Sequence, residues 1–289
     1  LAWRHGFFHW YLTFPEVYEQ GGFDVLLGNP PWDVSQLSEE EYFETRLPSI
    51  SNLKGAKRKS AIENLELIAP DIWMQYQLDK HSIECVNQYY RGSGRFTLTA
   101  VGKLNLYALF AEHFSKAIRQ DGRAGVIVPT GIATDDSTKA YFAEITGKNS
   151  LVNLYDLENR EKLFSAVDSR MKFCLLTLGI PEKAAELVFF ATQSGQIKDK
   201  RRRFSLTAEE FALINPNTRT CPVFRSERDA ELTKKLYRAA PILIQAETEA
   251  SAEKNPWGIR FSQGLFNMTS ASHLFHTFKE MELEGATLQ

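Results

Sequence analysis

The chain has few cysteines, little net charge and no long apolar run, and each shortage excludes a class of protein. Its three cysteines, Cys85, Cys174 and Cys221, are odd in number and widely spaced, so they offer neither a disulfide framework nor a paired metal-ligand pattern. Reduced thiols in a cytoplasmic setting are the expectation. A net charge of −2 over 289 residues gives no global basic signature, so contact with nucleic acid has to come from local patches. No stretch approaches the ~18 to 20 consecutive apolar residues of a membrane helix, and residues 1 to 18 lack the basic start and small-residue cleavage site of a signal peptide. His5 with His9 and His273 with His276 have helical spacing, yet neither pair is joined by a third ligand, so no metal is expected. What is present is a 43% hydrophobic content, enough for a substantial core in one large domain or two smaller ones.

The most informative residues are Asn29, Pro30, Pro31 and Trp32. They follow the apolar run Phe23 to Gly28, itself preceded by a Gly21-Gly22 turn signal, which suits a central strand of a parallel sheet. Ligands in open α/β sheets bind beyond the carboxyl ends of such strands. Two prolines fix the backbone around the turn, so the Asn29 side-chain oxygen and the Pro30 carbonyl can aim at one point as two acceptors. An exocyclic amine such as adenine N6 carries two N–H donors. Paired acceptors bind both and favour the pyramidal, nucleophilic form of the nitrogen, while Trp32 adds a stacking face. Taken as a bare tetrapeptide, the motif is equally compatible with an ordinary turn after a strand.

Residues 33 to 90 are charged and mostly helical in pattern, with a basic loop at Lys54, Lys57, Arg58 and Lys59, available for phosphate contact but better explained as a solvated helix start, and an apolar helix face at Ile62, Leu65 and Ile68. Leu104, Tyr107, Ala111, Phe114 and Ile118 recur at spacings of three and four, which predicts one buried helix face. Gln120-Asp121-Gly122 ends that helix, and Ala124 to Val128 reads as a short strand stopped by Pro129. A second helix-to-strand unit follows, with a helix around Ala140 to Ile145 and a strand from Leu151 to Leu157. Phe173 to Leu178 is a further strand, with Leu187 to Thr192 expected as its partner across a turn at Gly179 to Ala185, giving five strands in all. Lys198, Lys200, Arg201, Arg202 and Arg203 form the strongest basic cluster, suited either to phosphate contact or to a solvated loop. Helices near Ala208 to Leu213 and from Glu227 to Ala239 precede a linker-like stretch, Gln245 to Lys254.

Asn29-Pro30-Pro31-Trp32 resembles the catalytic motif of amino-group methyltransferases, above all the N6-adenine DNA methyltransferases. Lys103 to Phe110 and Gly122 to Gly131 resemble the next blocks of that family. Val167 to Gly179 is similar to the block that supplies a second aromatic against a flipped base, which implies Phe173 opposite Trp32. The resemblance is strongest to the large Eco57I-like and phage-exclusion (BREX-type) enzymes, also found in fused type IIG restriction-modification proteins. It covers residues 7 to 180 well and 219 to 278 more loosely, where Asn255-Pro256-Trp257-Gly258 looks like the approach to a specificity region.

What this resemblance implies is an α/β fold: the catalytic half of a Rossmann-like class I methyltransferase sheet, with helical insertions and the start of a C-terminal target-recognition region. Residues 1–195 would be the catalytic half, with an insertion over 33–100; residues 196–254 would connect; residues 255–289 would begin target recognition. The implied cofactor is S-adenosylmethionine, and the implied partner is double-stranded DNA. The family's glycine-rich cofactor turn and acidic ribose ligand should precede the catalytic motif, yet only 28 residues precede Asn29, and Gly92-Ser93-Gly94 reads as a loop. Cofactor contacts are therefore expected mostly outside this chain, in a missing N-terminal part of the same protein. Ala2 to Tyr18, dense in aromatics such as Trp3, Phe7 and Trp10, fits that expectation, although such a segment can also fold onto its own core. Two other functions stay open: a noncatalytic DNA-binding or assembly module with this fold, and amino-group methylation of RNA or of protein glutamine.

Overall fold

The computed structural model describes residues 8–247, 251–261, 264, 266–283 and 285. The chain divides into two compact units, residues 1–240 and 241–289. Trp3, His5 and Phe7, and three residues of the linker-like stretch, 248–250, lie outside the described residues.

The first unit is a mixed α/β structure. It is built on six strands: β1 (Phe23–Gly28), β2 (Ile118–Pro129), β3 (Leu151–Glu158), β4 (Lys172–Leu178), β5 (Ala185–Ala191) and β6 (Phe204–Leu206). Their spatial order is β1-β2-β4-β3-β5-β6. β1 pairs parallel with β2 and β3 parallel with β5; β4 runs antiparallel between β2 and β3, and β6 is antiparallel to β5. β1 begins where the sequence places it because Gly22, at φ +122°, passes so close to the end of the helix Leu106–Ala117 that a Cβ would lie 2.5 Å from the Ala117 carbonyl oxygen. Only glycine enters there.

Three expectations about the sheet need correction. β1 is an edge strand, not a central one, because an apolar run shows that a strand is buried without showing how many neighbours it has. β2 is longer than the expected Ala124–Val128: Gln120 to Gly122 bulge within it, since Phe23 pairs with Ile118 and Val25 with Arg123. Arg119 bridges this bulge, binding Asp24 at 2.6 Å and Asp121 at 2.5 Å. Finally, β5 does not form a hairpin with β4. The chain from Gly179 to Lys183 crosses the end of β3 and places β5 on its far side, about 10 Å from β4 at the usual strand spacing. Six residues separate the two strands, more than a tight hairpin needs and enough to skip one. The sixth strand, three residues long, carries too little periodicity to be read in advance.

One face of the sheet is thickly covered. Leu26, Val126, Leu154, Leu176 and Phe189 pack with Tyr107, Ala111 and Phe114 of the helix Leu106–Ala117 and with Tyr141, Phe142 and Ile145 of the helix Lys139–Gly147. The other face carries a smaller cluster, Leu157, Phe173, Val188 and Ala191, joined by Trp32, Tyr155 and Phe164. On that face β1 is bare: Val25 is 66% and Leu27 is 86% exposed.

The insertion holds four helices, Glu39–Glu44, Pro48–Ser51, Ala56–Ile68 and Pro70–Gly92, around its own core of Phe43, Ile50, Ile62, Leu65 and Tyr76. Ile68, expected on the buried face, is exposed, because the helix has reached its last turn. Arg58 of the basic loop is spent inside the insertion, donating to the Ser51 carbonyl at 2.8 Å and to Glu40 at 2.9 Å. Where the insertion returns to the sheet, Glu112 is fully buried. It accepts from the Thr99 hydroxyl at 2.6 Å, the Thr99 amide at 2.9 Å and the Lys116 ammonium at 2.6 Å.

Beyond Thr192, residues up to Ala240 still belong to the first unit and supply β6 and two capped helices. Thr207 and Glu210 form a capping box on Ala208–Ile214, and Ser226 caps Glu227–Ala239. In the second unit none of the described residues is buried. Its local order comes from Asn255, whose side chain binds both the amide and the carbonyl of Ile259 and closes the turn through Gly258 at φ +61°. Trp257 is half exposed and donates its indole N–H to the Pro241 carbonyl at 3.2 Å.

Candidate active site

The Asn29–Trp32 segment leaves the carboxyl end of β1, whose ladder with β2 ends at Gly28, and is held again at Trp32 and just beyond it. Trp32 donates its indole N–H to the Ile127 carbonyl of β2 at 3.1 Å. Directly after it, Val34 pairs with Asn105, the Leu106 amide donates to the Asp33 carbonyl at 3.0 Å, and the Ser35 amide to the Leu104 carbonyl at 2.9 Å. Between the end of the β1–β2 ladder at Gly28 and the Trp32 bond, Pro30 is buried and Asn29 is exposed. The Asn29 amide makes no hydrogen bond with any described residue, and neither does the Pro30 carbonyl. Both acceptors are thus unspent, on a turn held at Gly28 before it and at Trp32 after it.

Trp32 and Phe173 are brought together, though in direct contact. Their ring centroids lie 5.9 Å apart at 30°, and Phe173 is only 3% exposed. A base between two rings needs about 7 Å, twice the carbon–carbon contact distance, so in this arrangement Phe173 backs Trp32 and presents no face of its own. The sequence reading missed Phe164, whose ring meets Trp32 at 5.5 Å and Phe173 at 5.0 Å, edge to face in both cases. Its loop is organised by the fully buried Asn159, which accepts from the Phe164 amide and donates to the Phe164 and Val167 carbonyls, each at 2.9 Å. The signal in the sequence was an aromatic stranded among the charged residues between β3 and β4.

Beside Trp32 opens a cleft of about 590 Å³, lined among others by Asn105, Tyr107, Thr130, Asp156 and Phe190. Asp156 is 2% exposed, and burial raises its pKa against the opposing hydrogen bonds. One carboxylate oxygen accepts from the Thr130 hydroxyl at 2.6 Å and the other from the Phe190 amide at 3.1 Å. Phe190 sits in a bulge of β5 at φ +60°, a left-handed conformation costly for a bulky residue, and the Asp156 bond holds it there. Lys172 and Arg225 lie 5.5 and 4.5 Å from its ring centroid. Burial lifts the Tyr107 phenol to about 12, with the charge of Asp135 adding to the shift.

The basic cluster divides. Arg203 donates to the Ile197 carbonyl at 2.8 Å and to Glu186 at 3.2 Å, and Arg202 to the Phe190 carbonyl at 3.3 Å, so both are tied to the sheet edge. Arg201 is exposed and chelates Asp199, whose carboxyl it holds at about 2; Lys198 and Lys200 are exposed. Cys174 and Cys221 are buried and their thiol pKa values are pushed up by that burial. Among the described residues no group of His, Cys, Asp and Glu is arranged to hold a metal, and no helix is long and apolar enough to cross a membrane.

Compared with known proteins, the chain has a clear family match. The family model described as Eco57I restriction-modification methylase matches residues 2–164. No curated protein sequence matches the chain. Among solved structures, the type IIG restriction endonuclease BpuSI is 18% identical over 60% of this chain and 16% of that one, with a TM-score of 0.32. The type I restriction-modification system methyltransferase subunit from Streptococcus thermophilus is 10% identical over 71% of this chain and 39% of that one, with a TM-score of 0.38. A type I restriction-modification complex is 12% identical over 77% and 43%, with a TM-score of 0.40. The chain therefore spans less than half the length of each of these solved chains. The family match extends over more than half of the 289 residues, and the chain belongs to the Eco57I restriction-modification methylase family.

Proposed function

We propose that the whole protein methylates adenine N6 in double-stranded DNA, with S-adenosylmethionine as methyl donor, within a restriction-modification or phage-defence system. The observation that carries this reading is the unspent pair of acceptors, the Asn29 side-chain oxygen and the Pro30 carbonyl, at the carboxyl end of β1 beside a clamped Trp32. Two acceptors in fixed positions take both N–H donors of an exocyclic amine and leave its lone pair directed away from them. Pro31 keeps the turn rigid, and Trp32 stacks on the extruded base, a contact worth roughly 1 to 3 kcal/mol against an extrusion cost of a few. Phe173 supports Trp32 from behind, and Phe164 closes the same aromatic wall. Lys198 and Lys200 would meet DNA phosphates, joined by the exposed Arg201 if it exchanges Asp199 for a phosphate, whereas Arg202 and Arg203 would act by holding the loop.

S-adenosylmethionine would supply an electrophilic methyl group on its sulfonium. The described residues fit only the acceptor side of such a transfer: Asn29 is exposed, but no strand, glycine turn and helix stand in sequence among them to cradle an adenosyl group. We place the cofactor's main contacts outside these residues. That same lack favours a second reading, a noncatalytic DNA-binding or assembly module of the same fold. The two part in one experiment: the whole protein is incubated with DNA and donor, and the nucleosides are resolved by mass spectrometry. N6-methyladenine supports the first reading, N4-methylcytosine alone overturns the choice of base, and DNA binding without methylation supports the module.

A further inference from the structure

A second cavity, of about 430 Å³, lies at the opposite end of the helix Leu106–Ala117 from the candidate active site. Asn105 borders the cleft beside Trp32 and Lys116 borders this cavity, so about three turns, roughly 16 Å, separate them along the helix. Its size falls in the range of small-molecule sites, about 300 to 1,000 Å³. Aromatic rings make much of the wall: Phe8, Trp10, Tyr11, Tyr18 and Phe96. Trp10 packs edge to face on Phe8 at 5.3 Å and against His113 at 5.7 Å, and Tyr11 lies 5.4 Å from Tyr18. Phe8 and Tyr11 are each 58% exposed, so ring faces remain open to a ligand.

The charges at this cavity are of one sign. Lys116 is already paired with the buried Glu112 and donates to the Arg95 carbonyl at 2.6 Å. The Arg95 guanidinium makes no hydrogen bond or ion pair with any described residue, although its charge acts on both Tyr18 and His113. His113 is held neutral by burial, with Arg95 and Lys116 adding to the same effect, and its Nε2 is buried without a partner. No carboxylate is among the described residues that line the cavity. An unpaired guanidinium beside open aromatic faces, with no acid to neutralise it, suits a ligand that joins an anion to a flat ring.

We propose that this cavity binds a nucleoside monophosphate, its base against Tyr11 and Phe8 and its phosphate on Arg95. The site is distinct from the cleft beside Trp32 and does not rest on the methyltransferase reading. The test is calorimetric titration of the 289-residue chain with AMP, and separately with adenosine and inorganic phosphate. AMP should bind at least about tenfold more tightly than either half, as a charge-assisted contact added to stacking requires. Arg95→Ala should bring AMP down to the level of adenosine and leave adenosine unchanged; Tyr11→Ala should weaken both by about tenfold. Both side chains are exposed, so the folds should survive, and unchanged melting temperatures check this. Asn29→Ala should leave AMP binding as it was. AMP binding no tighter than adenosine or phosphate, or equal binding in wild type and both variants, would overturn the proposal.

Discussion

Replacing Asn29 by alanine in the whole protein separates its proposed chemistry from any structural role. The side chain is exposed and makes no hydrogen bond with any described residue, so its loss removes no packing and no partner among them. Surface changes of that kind shift stability by about 0.5 kcal/mol or less. In the proposed mechanism, however, its oxygen is one of two acceptors on the reacting nitrogen. Removing one preorganised hydrogen-bonding group from a reacting centre costs about 3 to 4 kcal/mol of transition-state stabilisation, or roughly 100- to 1,000-fold in rate. Single-turnover methylation of cognate DNA should therefore slow by at least about 100-fold, while DNA affinity and melting temperature stay within experimental scatter. Methylation within a few-fold of wild type would refute the role, and a melting temperature several degrees lower would show that Asn29 acts on the fold instead.

Other predictions follow from single features of the first unit. Glu112→Ala deprives Thr99 of a buried acceptor and Lys116 of its partner, and should cost about 3 kcal/mol in urea unfolding; a loss under 1 kcal/mol would mean the site relaxes around water. Val25→Lys with Leu27→Lys, on the bare edge strand, should reduce self-association in light scattering without lowering the melting temperature, whereas unchanged association would locate the sticky surface elsewhere. Burial raises the Asp156 pKa in the fold, so the stability from its protonated form is complete below the unfolded value of ~3.9 and is lost as pH rises through the folded value. Asp156→Asn should therefore gain on wild type between pH 4 and pH 7, and a difference running the other way would contradict the raised pKa. This chain alone should not bind S-adenosylmethionine at micromolar concentrations; calorimetry showing that it does would reveal a complete cofactor pocket among these residues.

What could be read from the sequence was whatever a local pattern expresses. β1, β3 and β4 fell within a residue of their expected bounds because each is an apolar run between turn formers, and the helix Glu227–Ala239 matched because a serine cap and a charged amphipathic pattern frame it. The order of the strands was not legible, since nothing local distinguishes a six-residue turn that closes a hairpin from one that steps over β3. For the same reason Trp32 and Phe173 could be paired by resemblance while their contact distance could not, and Phe164 went unseen because its position depends on Asn159 gathering a loop. Charge was misleading in both directions. Arg58, Arg202 and Arg203 looked available and are bound internally, whereas Glu112 sits in the middle of an apolar helix face and is fully buried.

The placement of the motif links its precision to the edge of the sheet. Asn29 follows a strand that, among the described residues, pairs with β2 alone, and the β1–β2 ladder ends at Gly28 with Val126, one residue before it. Past that point the backbone is held by the Trp32 bond to Ile127 and by the short pairing of Val34 with Asn105. Both attachments follow Asn29 and Pro30 in the chain. The acceptors of Asn29 and Pro30 therefore lie between the end of the β1–β2 ladder and the Trp32 bond, next to a strand whose outer edge pairs with no described strand. Edge strands present unpaired N–H and C=O groups along their whole length. Whatever pairs with the outer edge of β1 would add hydrogen bonds immediately before Asn29, so occupancy of that edge and the geometry of the two acceptors are mechanically one problem.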